Sequence, residues 1–202
     1  MSKLYFKYGA MGASKSAHAL ITKFNYEQNG SKVLLLKPAI DTRDGANVIR
    51  SRIGLKAEAF VIREEDDIFD LVDQEERYDV IICDEAQFFT PDIIDALHHI
   101  ATFRNIPVIC YGLLTDFQTH LFPGSKRLIE VAESFQEIKM VCLVCRCGRK
   151  ATVNGRFTNG KIVTDGELVV LGGNDTYQAM CYKCYREALA ERNMWKKDGS
   201  CG

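Results

Sequence analysis

Apolar positions along the chain keep two alternating rhythms. Leu4, Phe6 and Tyr8 recur at every second residue, the period of a strand. From Lys15 the spacing becomes helical, runs through Leu20, Ile21 and Phe24, and stops at Gln28-Asn29-Gly30. Residues 33–36 are uninterruptedly apolar, as a strand covered on both faces requires. A short strand is predicted over 57–62, an acid-led helix over 64–77 and a buried strand over 78–83. Thr90-Pro91 marks a helix start, with Ile93, Ile94, Leu97 and Ile100 on one side. Residues 107–111 form the next apolar strand, 112–124 a long loop, and Ser125 opens a short helix. Apolar strands alternating with amphipathic helices predict a mainly parallel α/β sheet with right-handed crossovers, ending near Ile138.

Beyond that point the pattern changes. Residues 142–147 are a knot of cysteines, and 151–163 read as a hairpin turning at Asn159-Gly160. A glycine-rich return over 169–177 leads to Cys181 and Cys184, and residues 185–195 close as a helix. The expected organisation is a nucleotide-binding α/β domain over 1–138, a small metal-anchored domain over 139–193 and a tail over 194–202.

The link between the first strand and helix carries the first candidate chemistry. Gly9, Ala10, Met11, Gly12, Ala13, Ser14, Lys15 and Ser16 nearly match the phosphate loop G-x-x-x-x-G-K-S, with Ser14 where a glycine is expected. Such a turn surrounds phosphate oxygens with backbone N–H groups at a helix N-terminus. Lys15 would reach the outer phosphates and Ser16 would hold Mg²⁺. An ordinary strand-to-helix turn is the bland alternative. The apolar strand ending in Asp84-Glu85-Ala86-Gln87 supplies the complement, because ligands of parallel sheets bind beyond the carboxyl ends of strands. Asp84 would help hold Mg²⁺, and Glu85 could take a proton from an attacking hydroxyl or water. Arg52, in a polar segment with Asp41 and Arg43, could add positive charge.

Composition narrows the partners. The formal charge of −1 supplies no global basic field for nucleic acid, and 47% hydrophobic residues in a chain of 202 suffice for a real core. Neither a signal peptide nor a membrane-length apolar run is seen, so the expectation is a soluble cytoplasmic protein. Two of the eight cysteines, Cys83 and Cys110, sit in apolar strand patterns as small core residues, and Cys201 lies in the tail. The knots about 35 residues apart suit a tetrahedral zinc site of four thiolates, structural because it leaves no open position. Cys142, Cys145 and Cys147 offer three ligands for two places. The favoured set is Cys145, Cys147, Cys181 and Cys184, with Cys142 as the alternative. The four histidines are given no role.

Taken together, residues 9–16 with Met11, Asp41-Thr42-Arg43, Ser51-Arg52-Ile53-Gly54, Asp84-Glu85-Ala86-Gln87-Phe88, Thr115-Asp116-Phe117 and Gly172-Gly173 to Tyr177 resemble the type II thymidine kinases over nearly the whole chain. The resemblance implies a RecA-like P-loop parallel α/β sheet with a small zinc-anchored lasso domain. It implies transfer of the ATP γ-phosphoryl group to the 5′-hydroxyl of thymidine, with transient Mg²⁺ and structural Zn²⁺. Glu85 becomes the general base, and residues 9–16 with Asp84, Glu85, Ala86 and Gln87 the ATP site. Phe117 would stack on thymine, Leu168, Val169, Val170, Leu171 and Gly172 would read its edge through backbone groups, and Tyr177 would contact the sugar. Homotetramers and inhibition by dTTP are the further implications. Ser14 and the Cys-x-Cys-Gly spacing depart from the family pattern. Two other readings compete: a zinc-ribbon nucleic-acid-binding protein, resting on Arg146, Arg149, Lys150 and Arg156, and a RecA-like ATPase with a degenerate phosphate loop.

Overall fold

The computed structural model describes residues 2–42, 45, 47–73, 77–145, 148–167 and 175–198, excepting the side chains of residues 175 and 193–198. The chain divides into two compact units. One comprises Met1–Tyr8, Ser14–Leu114 and Leu121–Ile138; the other comprises Gly9–Ala13, Thr115–His120 and Lys139–Gly202.

The first unit contains β1 (Leu4–Tyr8), α1 (Lys15–Gln28), β2 (Val33–Pro38), β3 (Val48–Arg50), β4 (Lys56–Glu58) and β5 (Phe60–Ile62). It continues with α2 (Ile68–Asp73), β6 (Val80–Cys83), α3 (Pro91–Phe103), β7 (Val108–Gly112), α4 (Pro123–Val131) and β8 (Ser134–Glu137). Six of these strands form one sheet in the order β5-β2-β6-β7-β1-β8, and every pairing is parallel. The uninterrupted apolar runs follow from this placement. Leu34, Leu36, Ile81, Cys83, Val108 and Cys110 pack with Ile94, Leu97 and Ile100 of α3. Their neighbours Leu35, Val80, Ile82, Ile109 and Tyr111 pack with Ala19 and Leu20 of α1. Both faces are therefore covered, so alternation has no polar member to show.

Thr90 caps α3 as its sequence indicates, its Oγ1 accepting the Ile93 N–H at 3.3 Å. Three local expectations change. Residues 57–62 are not one strand: β4 pairs with β3 antiparallel, β5 pairs with β2, and the chain switches partner at Ala59, whose N–H donates to Asn47. The helix expected over 64–77 is α2 alone. Asp66 accepts the Arg63 N–H and Asp67 accepts the Phe69 N–H, so short acidic side chains satisfy the backbone as a turn first; residues 74–76 lie outside the described residues. α4 opens at Pro123, two residues before Ser125, because a proline at the first turn gives up no hydrogen bond.

The second unit carries β9 (Val153–Thr158), β10 (Lys161–Ile162), β11 (Asp175–Met180) and α5 (Tyr182–Asp198). The antiparallel sheet has the order β10-β9-β11, and its tight turn has Asn159 at φ 50° and Gly160 at φ 74°, as Asn-Gly predicts. α5 begins three residues earlier than expected, next to Cys181. Among the described residues no helix is long and apolar enough to cross a membrane.

Candidate functional site

β1 ends at Tyr8, and the chain turns into α1 through two left-handed residues, Gly12 at φ 84° and Ser14 at φ 57°, ψ 28°. Ser14 therefore occupies the conformation in which glycine is the ordinary choice, at a cost of about 1–2 kcal/mol for an L residue. Its carbonyl accepts the His18 N–H at 3.0 Å and so begins the helix. Residues 9–13 of this turn belong to the second unit and residues 14–16 to the first.

In the first unit Lys15, Ser16 and Asp84 come together. Asp84 follows β6 and is 2% exposed, as is fitting for a residue whose N–H continues the β2–β6 ladder to Leu36. Burial, followed by the adjacent Glu85 charge, raises its pKa from 3.8 to about 7. The Ser16 hydroxyl, the Glu85 N–H and the Lys15 charge act the other way. Oδ1 of Asp84 is buried with no hydrogen-bond partner among the described residues. An orphaned carboxylate oxygen beside a serine hydroxyl and a lysine is a fitting place for a hydrated cation.

Glu85 is buried and sits at φ 51°, ψ 36°, a second non-glycine residue held left-handed at a strand end. It precedes a 3₁₀ turn, Ala86–Phe88. Gln87 donates from Nε2 to Glu85 Oε2 at 2.5 Å, and its Oε1 accepts the Leu113 N–H at 2.9 Å. Arg52 is exposed on the turn closed by Gly54. Asp41, of the same polar segment, is buried against Lys37, whose Nζ lies 3.4 Å from its carboxylate and donates to Val48 at 2.9 Å.

In the second unit Phe117 is 2% exposed within Thr115–His120. Asp116 Oδ1 shapes this turn by accepting the N–H groups of Gln118 and His120 at 2.8 and 2.9 Å. The Arg156 guanidinium lies 5.2 Å from the Phe117 ring centre and donates to the Glu167 carbonyl at 2.7 Å. Gln118 donates to Thr164 at 2.6 Å, so two side chains fix the segment that leads into residues 168–174. Tyr177 stands opposite Arg156 in the β9–β11 register. The expected base-reading residues Leu168, Val169, Val170, Leu171 and Gly172 lie outside the described residues.

Asn154, Arg156 and Gln118 are the contributors that motif reading missed. Asn154 Oδ1 accepts the Met11 N–H, and its Nδ2 donates to the Thr115 carbonyl. Arg156, counted in the sequence toward a basic surface, is 8% exposed and committed to Phe117 and Glu167.

Four thiols converge in the same unit: Cys142, Cys145, Cys181 and Cys184, with all Sγ atoms within 4.8 Å of one another. Cys147 lies outside the described residues, and Cys142, the alternative in the sequence, supplies the fourth sulfur. Sulfur separations of 3.7, 3.7 and 4.0 Å exclude disulfides, whose bond is about 2.05 Å. Sulfurs bound tetrahedrally at about 2.3 Å from zinc would stand about 3.8 Å apart, so the group fits that ion. Burial raises the Cys142 pKa, but backbone N–H groups of Cys145, Cys181 and Val144 outweigh it and bring the thiol down to about 6.

The sequence profile of the family described as Thymidine kinase matches residues 2–185. The chain belongs to the thymidine kinase family. Its relatives include the thymidine kinase of Rhodopirellula baltica, 41% identical over 196 residues that cover 95% of this chain and 92% of that protein. The thymidine kinase of Legionella pneumophila is 42% identical over the same shares. That of Streptococcus pyogenes is 40% identical over 186 residues, 92% of this chain and 97% of the relative. The six-stranded parallel sheet and the four-cysteine group agree with the fold anticipated for a member of the thymidine kinase family.

Proposed function

We propose that this chain is a thymidine kinase that moves the γ-phosphoryl group of ATP to the 5′-hydroxyl of thymidine, giving thymidine 5′-monophosphate. The single observation that carries this reading is the joining of Lys15, Ser16 and the orphaned Asp84 carboxylate, next to Glu85, in a chain of this family. Phosphoryl transfer is mostly positioning and charge neutralisation. Lys15 neutralises the outer phosphates, backbone N–H groups of residues 9–16 cradle them, and Ser16 and Asp84 would hold Mg²⁺. Bound Mg²⁺ supplies charge compensation on the phosphate oxygens. Glu85 accepts the proton of the 5′-hydroxyl. Phe117 stacks on thymine, residues 168–172 read the base edge, Tyr177 meets the sugar, and Arg52 adds positive charge near the phosphates.

Zn²⁺ is assigned to Cys142, Cys145, Cys181 and Cys184 on the strength of their sulfur spacing. Four thiolates close its coordination, so its task is to pin the two ends of residues 145–181. The reading extends to a cytoplasmic homotetramer in nucleoside salvage, inhibited by dTTP, with domains over 1–138 and 139–193 and a tail over 194–202.

Incubating purified protein with Mg-ATP and thymidine, and resolving the products by chromatography, tests the reaction directly. Formation of thymidine 5′-monophosphate, abolished by EDTA, is expected. ATP hydrolysis unaffected by thymidine would replace the kinase with an ATPase, and a screen of other nucleosides defines the acceptor.

A further inference from the structure

A carboxylate that removes a proton in flight must be aimed and ionised before the substrate arrives. Backbone alone does not aim Glu85, because three rotatable bonds separate its carboxylate from a left-handed residue at a strand end. The aiming device lies two residues further on. Gln87 is 1% exposed, and both ends of its amide are used inside the protein: Nε2 toward Glu85 Oε2 at 2.5 Å, Oε1 toward the Leu113 N–H at 2.9 Å. The orientation of this amide follows from its neighbours. A peptide N–H can only donate, so the oxygen faces Leu113 and the NH₂ must face the carboxylate.

The surroundings keep this strut in place. A Cβ on Gly112 would lie 2.8 Å from Gln87 Oε1 and 3.2 Å from its backbone nitrogen, so the end of β7 is glycine because the amide occupies that space. A Cβ on Gly124 would meet the carbonyl oxygens of Phe89, Ala86 and Gln87 at 2.6, 2.7 and 2.9 Å, which lets α4 abut the turn directly. Ser125 Oγ donates to the Leu113 carbonyl at 2.5 Å and fixes the same residue from its other side.

We propose that Gln87 is a positioning residue for Glu85, a strut from the end of β7 to the carboxylate, and not a nucleotide contact as its motif suggests. The proposal rests on the reading of Glu85 as general base.

The test is a double-mutant cycle of Gln87→Met and Glu85→Gln, with kcat, both KM values and Mg-ATP affinity measured. For Gln87→Met the expected result is a kcat loss of about tenfold or more, within the range general-base catalysis supplies. Mg-ATP affinity stays within about threefold. In the Glu85→Gln background the same change should cost no further kcat. Gln87→Glu, which keeps length but sets a carboxylate against Glu85 where the amide donates, should lose at least as much kcat and serves where the methionine variant folds poorly. Weakened Mg-ATP binding with kcat retained at saturation would overturn the proposal in favour of a nucleotide contact. An equal kcat loss with and without Glu85 would overturn it too, leaving the base intact. Glu85→Gln at wild-type turnover would instead remove the base reading on which it stands.

Discussion

The side chain of Asn154 accepts the backbone N–H of Met11 at 2.7 Å across 143 positions of sequence. Its other end donates to Thr115 at 3.3 Å, so one buried amide ties the turn after β1 to the turn that bears Phe117. Replacing Asn154 by alanine strands the Met11 N–H, and an unpaired buried amide costs about 1–3 kcal/mol. A lower melting temperature is expected, together with higher KM values for both ATP and thymidine. Unchanged KM values in a destabilised variant would reduce Asn154 to a packing role.

Asp84 makes stability depend on pH in an unusual direction. Its folded pKa of about 7 lies above the ordinary 3.8, so the folded state holds a proton that the unfolded chain has released. That contribution is complete below pH 4 and is lost as pH rises through 7. The shift of roughly 3 units corresponds to about 4 kcal/mol. Asp84→Asn is therefore expected to stabilise the ligand-free protein at pH 8 and to bring no gain at pH 4, as read by denaturant titration. If Asp84 holds the cation as proposed, Mg-ATP affinity of the wild type should climb as pH approaches 7, and the asparagine variant should lose this dependence.

Ser14 offers a conformational test. At φ 57° glycine should outperform alanine, the reverse of their order in an ordinary helix. Ser14→Gly is expected to be more stable than Ser14→Ala by about 1 kcal/mol in thermal melts. Equal stabilities would mean the turn relaxes to negative φ.

The zinc assignment separates two cysteines that sequence spacing could not. Cys142→Ser, like Cys181→Ser, should reduce bound zinc below one equivalent by elemental analysis, whereas Cys147→Ser should leave it unchanged. Chelation of the ion should lower the melting temperature of the wild type.

What the sequence made legible was chemistry carried by neighbours in the chain. The apolar runs of β2, β6 and β7, the Thr90-Pro91 helix start and the Asn159-Gly160 turn each depend on short-range rules, and each appears as expected. β8 was not legible, because Ser134-Phe135-Gln136-Glu137 at the sheet edge carries no apolar run. The break at Ala59 depends on which partner each half finds, and the delayed start of α2 on side chains competing with the helix. Lys37, Asn154, Gln118 and Arg156 look like solvent-facing residues in a one-dimensional reading. Their roles arise only from carbonyls and rings that the fold carries to them.

The second unit assembles from three pieces of chain, Gly9–Ala13, Thr115–His120 and Lys139–Gly202. A ribosome delivers these in order, so Met11 and Thr115 emerge long before the asparagine that joins them. Each nascent molecule must carry the Met11 turn unfinished across 143 positions and the Thr115 turn across 39. An isolated fragment beginning at Lys139 would likewise lack two of its own walls, which makes this enzyme a poor candidate for division into independently expressed halves.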